Sequence, residues 1–270
     1  MEADIRSNIS FRNNVYSRLG LYLLLGLGLI VLLIMPFSIS GDGAIRFEFI
    51  DALVHKMQIT PMRYSFIGPI FSLPLWLLAS LAKNPISIVA RYNFLLYVLS
   101  IFILYQWLKP HFERKFLITF LFVLSFGSMF PGHLLDYYGE VFSAMFLALG
   151  MIGLAKKDRI AWACMILAVL NTPALLVPFL FIVGYYTWTS KQLRYLTLVF
   201  ICLLLIFLES RIRMGSYTAV FQTYLARDSG QKTLLPYSGI RGFSYPFHLG
   251  ILSILLSFGK GLIFSAPDYY

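Results

Sequence analysis

Eight apolar stretches follow one another along the chain, and several approach the length of a membrane crossing: Leu19–Ser38, Phe66–Ala82, Tyr92–Leu108, Phe116–Phe130, Val141–Ala155, Ile160–Trp188, Tyr195–Leu208 and Leu249–Phe264. A hydrocarbon core about 30 Å thick is crossed by about 20 apolar residues in helical form. No other property of the sequence restricts the fold as tightly. In lipid, every backbone N–H and C=O must find its partner inside the segment, and a helix does this. Of the 270 residues, 59% are hydrophobic and only 13% charged, with a mean hydropathy of +0.77. Soluble domains carry about 25% charged residues, so a water-soluble enzyme fold is excluded. The expected fold is all-α: a polytopic bundle of about seven or eight membrane segments.

Lys and Arg number 22 against 12 Asp and Glu, a formal net charge of +10. The basic residues stand in short runs between apolar stretches, where they set orientation and meet anionic lipid headgroups. Nucleic acid is therefore not an expected partner. Cys164 and Cys202 both fall inside apolar stretches and read as small core residues rather than a disulfide.

Leu19–Ser38 follows Arg6, Arg12 and Arg18. It is longer than the apolar region of a signal peptide and reads as an uncleaved anchor, with residues 1–18 in the cytoplasm. Residues 19–270 then form one transmembrane domain. Two later stretches are interrupted, one by Pro69 and Pro74, the other by Asn171-Thr172-Pro173. If Phe66–Ala82 dips without crossing and Ile160–Trp188 is a hairpin, three basic runs share the inner face. These are Lys109 to Lys115, Lys156 to Arg159, and Lys191 with Arg194. Trp107, Trp162 and Trp188 join them as an aromatic belt. Loop 39–64, the short loop around Asp136 and Glu140, and loop 209–247 then lie outside.

The first outer loop carries Asp42 between glycines, an expected N-cap for a helix starting near Gly43. Phe47, Ile50 and Val54 repeat with helical spacing beside a polar stripe of Glu48, Asp51 and His55. This pattern predicts an interfacial amphipathic helix. Asp42 then either caps or does chemistry, and Glu48 and Asp51 either bind or simply face water. In the second acidic loop, Asp136 and Glu140 are four residues apart, so a helix covering both would place them on one face. His55, His111, His133 and His248 show no metal-ligand spacing, and no Walker loop, nucleophile elbow or dinucleotide fingerprint occurs. No metal site is expected and no cofactor, although a divalent cation stays open.

Three ordered stretches carry a family resemblance. Ser40-Gly41-Asp42-Gly43 with Arg46, then Arg63-Tyr64-Ser65-Phe66-Ile67-Gly68-Pro69 and Leu73-Pro74-Leu75, resembles the first outer loop of GT-C membrane glycosyltransferases. The nearest flavour is the dolichyl-phosphate-mannose–protein mannosyltransferase-like group and the aminoarabinose transferases. Asp136 to Phe142 looks like that family's second outer acidic site, and Leu256 to Pro267 is similar to a segment of many bacterial members. The resemblance implies transfer of a sugar from a polyprenyl-phosphate-linked donor to a lipid, glycan or protein acceptor of the cell envelope. The reaction would run on the periplasmic or exoplasmic side of a bacterial inner or plasma membrane. On that likeness Asp42 is the catalytic base, Arg63 and then Arg46 bind the donor phosphate, and Glu48, Asp136 and Glu140 bind substrate. Members of the family are longer, so 270 residues reads as the front portion of a larger protein, its activity as a fragment open. The competing expectation is a non-catalytic multi-pass protein: transporter-like, lipid-binding, or a subunit of a polysaccharide assembly complex.

Overall fold

The computed structural model describes residues 19–62, 64–79, 81–82, 85–217 and Leu252. Among them all regular structure is helical. Helix α1 (Leu19–Ile34) leads into α2 (Gly41–Lys56). Three short helices follow, α3 (Ile67–Ile70), α4 (Leu73–Ala79) and α5 (Pro85–Val89). The longer helices are α6 (Tyr92–Leu108), α7 (Arg114–Phe126), α9 (Glu140–Ala155), α10 (Ile160–Asn171), α11 (Leu176–Ser190) and α12 (Leu196–Met214), with the single turn α8 (Phe130–Leu134) between α7 and α9.

Among the described residues three helical segments are long and apolar enough to cross a membrane: Ile86–Leu108, Pro173–Ser190 and Leu193–Met214. Leu19–Ile34, Glu140–Ala155 and Ile160–Asn171 are apolar but shorter. The outward face of α1, α11 and α12 carries Leu23, Phe181, Trp188 and Phe200, all exposed. A surface this apolar is an aggregation liability in water and suits hydrocarbon.

The stretch from Phe66 to Ala82 breaks where its prolines stand. Pro69 lies within the single turn of α3, which ends at Ile70, Ser72 donates back to the Pro69 carbonyl at 2.6 Å, and Pro74 sits in the first turn of α4. A proline there loses no hydrogen bond, since first-turn amides have no helical partner. Asn171-Thr172-Pro173 likewise ends α10. Pro173–Leu175 makes one 3₁₀ turn, and α11 returns alongside. The reversal is visible in side chains: Trp162 at the start of α10 packs edge-on against Tyr186 near the end of α11, centroids 5.3 Å apart.

The helices consequently share two ends. At one, Tyr22 of α1 bonds to Tyr105 of α6 at 2.8 Å, and Lys156 after α9 donates to the Trp107 carbonyl at 3.1 Å. Lys109, Arg114, Lys157, Arg159, Lys191 and Arg194 border these same termini. At the other end, the turn before α9 meets the segment before α2 and the start of α6. The tightest helix pair is α9 with α10. A Cβ on Gly150 would lie 2.4 Å from Met165 Cγ and 3.1 Å from the Ala161 carbonyl oxygen. Small residues at such a crossing let backbones approach, which supplies packing where lipid gives no hydrophobic drive.

Candidate functional site

The end of the bundle without basic runs gathers the polar side chains. Helix α2 begins at Gly41, two residues before the start expected from Asp42. Ser40 takes the N-cap position with extended backbone, yet its side chain does not cap. Its hydroxyl donates instead to Asp136 Oδ2, and its N–H donates to Asp136 Oδ1 at 3.1 Å. Ser38 Oγ reaches Oδ2 at 3.0 Å, and the Tyr137 N–H reaches Oδ1 at 2.6 Å. Asp136 thus caps the start of α2 from a distant segment, and with 5% of its surface exposed its oxygens are committed to that task. Asn93 fixes the same turn, donating from Nδ2 to the carbonyls of Asp136 and Tyr138, both at 2.7 Å.

Because Asp136 caps α2, Asp42 is free to stand exposed in the first helical turn, at the positive end of the helix dipole. Arg46 lies one turn further on the same face. It is 5% exposed; Nη1 donates to the Ser65 carbonyl at 3.2 Å and to Asn171 Oδ1 at 3.3 Å, and the guanidinium stacks over Tyr64 at 4.9 Å. Nε has no partner. Burial pushes the guanidinium pKa down, offset in part by Glu140, Tyr64 and Asp42. The close approach requires glycine at 139, where a Cβ would fall 2.4 Å from Arg46 Cζ.

Asn171 is the hub beneath. Its oxygen also accepts the Gly68 N–H at 3.1 Å, and its Nδ2 donates to the Gly139 carbonyl at 2.8 Å and to Ser143 Oγ at 2.7 Å. Ser143 in turn bonds to Thr172 at 2.7 Å. A cavity of about 10 Å³ borders Arg46, Gly68, Tyr92, Tyr137 and Gly139; that is close to the room one water needs. Burial pushes the Tyr137 phenol up, against its bond to Ser72 and the charge of Arg46.

The structure therefore brings together Asp42, Arg46 and Glu140. Helix α9 starts at Glu140, so Asp136 lies in the preceding turn and the two carboxyls do not share a helix face: Glu140 is exposed, Asp136 buried. Glu48 is exposed two residues beyond Arg46, and residues so spaced point away from one another. Further along the helix, Asp51 and His55 form a solvent-facing pair at 3.0 Å. Of the expected apolar stripe, Ile50 is buried and Phe47 and Val54 pack half-buried in the same cluster, with Phe47 stacked on Trp76 at 5.6 Å. Arg63, the N-terminal segment 1–18, residues 218–247 of the long outer loop and Leu256–Pro267 lie outside the described residues.

Two residues at this end were missed in the sequence. Arg213 Nε pairs with Glu209 Oε1 at 2.7 Å, both buried, and Arg213 Nη1 donates to the Met62 carbonyl at 2.6 Å. Glu209 Oε1 also accepts the Phe66 N–H at 3.2 Å. The pair clasps the chain at Met62 and Phe66. Their spacing of four on a helix was a readable signal.

Chemically, the cluster offers exposed carboxylates beside a buried guanidinium whose Nε is unpartnered among the described residues. Such a set can accept a proton from a hydroxyl while a cation lies behind developing negative charge. No family model, curated protein or solved structure matches the chain.

Proposed function

We propose that this chain is a membrane glycosyltransferase of GT-C type, drawing on a polyprenyl-phosphate-linked sugar. The observation that carries the reading is the exposed Asp42 carboxylate one helical turn from the buried Arg46, with Glu140 acting on the same guanidinium. The ordered likeness of residues 40–46, 63–75 and 136–142 to that family supports it.

In this reading Asp42 takes the proton of the acceptor hydroxyl as its oxygen attacks the anomeric carbon. The bond from that carbon to the phosphate oxygen breaks, and the polyprenyl phosphate leaves with the electron pair. Arg63 and Arg46 balance the charge gathering on the departing phosphate, and Glu140 holds sugar or acceptor hydroxyls. Asp136 acts indirectly, by setting where α2 starts and hence where Asp42 stands. The reacting face would be the outer side of a multi-pass inner or plasma membrane protein.

The test is transfer of label from a radiolabelled polyprenyl-phosphate sugar in membranes containing the protein. Asp42→Asn removes the proton acceptor at an exposed position, so transfer drops on the order of 10²- to 10⁴-fold while expression is unchanged. Undiminished transfer by Asp42→Asn overturns the assignment.

A further inference from the structure

The opposite end of the helices holds a second, larger recess. It has a volume of about 920 Å³ and lies between the α9–α10 turn and the α11–α12 turn. Helix α9 separates it from the Asp42–Arg46 cluster, and its 16 residues span about 24 Å. Lys157, Arg159 and Arg194 line it and are exposed, with Lys156 and Lys191 beside them. Among the described residues Asp158 is the one acidic lining residue, and its Oδ1 is occupied by the Ile160 N–H at 2.9 Å. Among the described residues none of the three lining cations forms an ion pair.

The floor of the recess is aromatic. The rings of Trp162, Tyr186 and Tyr195 pack on one another at 5.3, 5.5 and 5.8 Å, and Arg194 lies over Tyr195 at 5.5 Å. Leu154 and Leu198 form its apolar flank. Tyrosine and tryptophan belong at the level of lipid headgroups, where one end of the ring is wet and the other apolar. The backbone adds a further sign. Lys157 and Lys191 close α9 and α11 with φ of 60° and 53°. Glycine ordinarily fills that left-handed position, so at both turns the chain carries a long cation where an easier residue exists.

We propose that this recess binds the phosphate headgroup of an anionic membrane lipid, with Lys157, Arg159 and Arg194 on the phosphate and the acyl chains running along Leu154 and Leu198. Three cations and one engaged carboxylate complement a negative headgroup. The apolar flank selects an amphiphile over free phosphate. Basic pockets between helices at a membrane surface take such headgroups by the same electrostatics. The site is independent of the sugar-transfer reading and requires only that the chain sit in a membrane.

The experiment is native mass spectrometry of the full chain purified in detergent and incubated with phosphatidylglycerol, phosphatidylcholine or inorganic phosphate. Phosphatidylglycerol is expected to remain bound in preference to phosphatidylcholine, and inorganic phosphate does not displace it at equal concentration. The triple variant Lys157→Gln/Arg159→Gln/Arg194→Gln weakens retention by roughly fivefold per cation removed. The control Lys109→Gln/Arg114→Gln/Lys115→Gln, which removes the same charge elsewhere, retains the lipid. Equal retention of both lipids, an unaffected Lys157/Arg159/Arg194 variant, displacement by inorganic phosphate, or equal loss in the control each overturns the proposal. All six positions are exposed, so the melting temperature of either triple variant should match the parent.

Discussion

Glu209 and Arg213, one turn apart on α12, form a two-bond ion pair almost wholly withdrawn from solvent, with Nε–Oε1 at 2.7 Å and Nη2–Oε2 at 3.1 Å. The pair also supplies an acceptor to Phe66 and a donor to Met62, residues 143 and 151 positions earlier in the chain. Taking two charges out of water costs several kcal/mol each, returned only while both partners are present.

Arg213→Leu should therefore destabilise by about 3–5 kcal/mol, because it strands the Glu209 carboxylate. Adding Glu209→Leu to that variant should recover part of the loss. Thermal unfolding in detergent of the two single variants and the double variant gives the coupling. Additive losses would mean that the pair contributes nothing as a pair.

Asn171 makes four hydrogen bonds to groups on other segments. Asn171→Leu leaves the Gly68 N–H unpaired, at a cost of about 1–3 kcal/mol, while the Gly139 carbonyl keeps the Ser143 N–H at 3.2 Å. Asn171→Asp keeps the acceptor for Arg46 and Gly68 and gives up only the two donated bonds. The melting temperature should fall further for the leucine variant than for the aspartate variant.

The α9–α10 crossing admits no side chain at position 150. Gly150→Leu should cost about 1–3 kcal/mol through overpacking, and Met165→Ala in the same chain should restore part of it by vacating the space that the new side chain enters. Melting of the three variants is the measurement.

The grouping of helix ends makes a topological prediction. In a chain lacking Cys164 and Cys202, a cysteine at the exposed Gly132 should react with an impermeant thiol reagent on intact cells. A cysteine at the exposed Ser190 should react only after permeabilisation. Labelling of Ser190→Cys on intact cells would contradict an outer polar end and an inner basic end.

The features legible in the sequence were those written in local periods. The apolar stripe of α2, the two proline breaks and the basic runs each depend on neighbours within a few positions, and they appear where the spacing put them. What escaped depends on distant pairing. Nothing near Asp136 announces that Ser38 and Ser40 will spend its oxygens, so the carboxyl four residues before Glu140 looked like a helical partner of Glu140. The cap of α2 was placed at Asp42 because an acidic residue between glycines is the usual local solution. Here another segment supplies the acceptor, and the helix starts earlier. Glu209 and Arg213 had a local signal in their spacing, but it lay at the border of an apolar stretch and a loop, where charge is commonplace.

The bond from Arg46 to Asn171 joins residues 125 positions apart. During synthesis Arg46 emerges long before its partner, and so does the Gly68 amide that shares the same oxygen. Asn171, by contrast, finds Ser143 and Gly139 as soon as α9 and α10 pair. The hairpin can therefore assemble on its own terms, while the face bearing Asp42 must wait for it. The later-made hairpin is the foundation, and the earlier-made layer settles onto it.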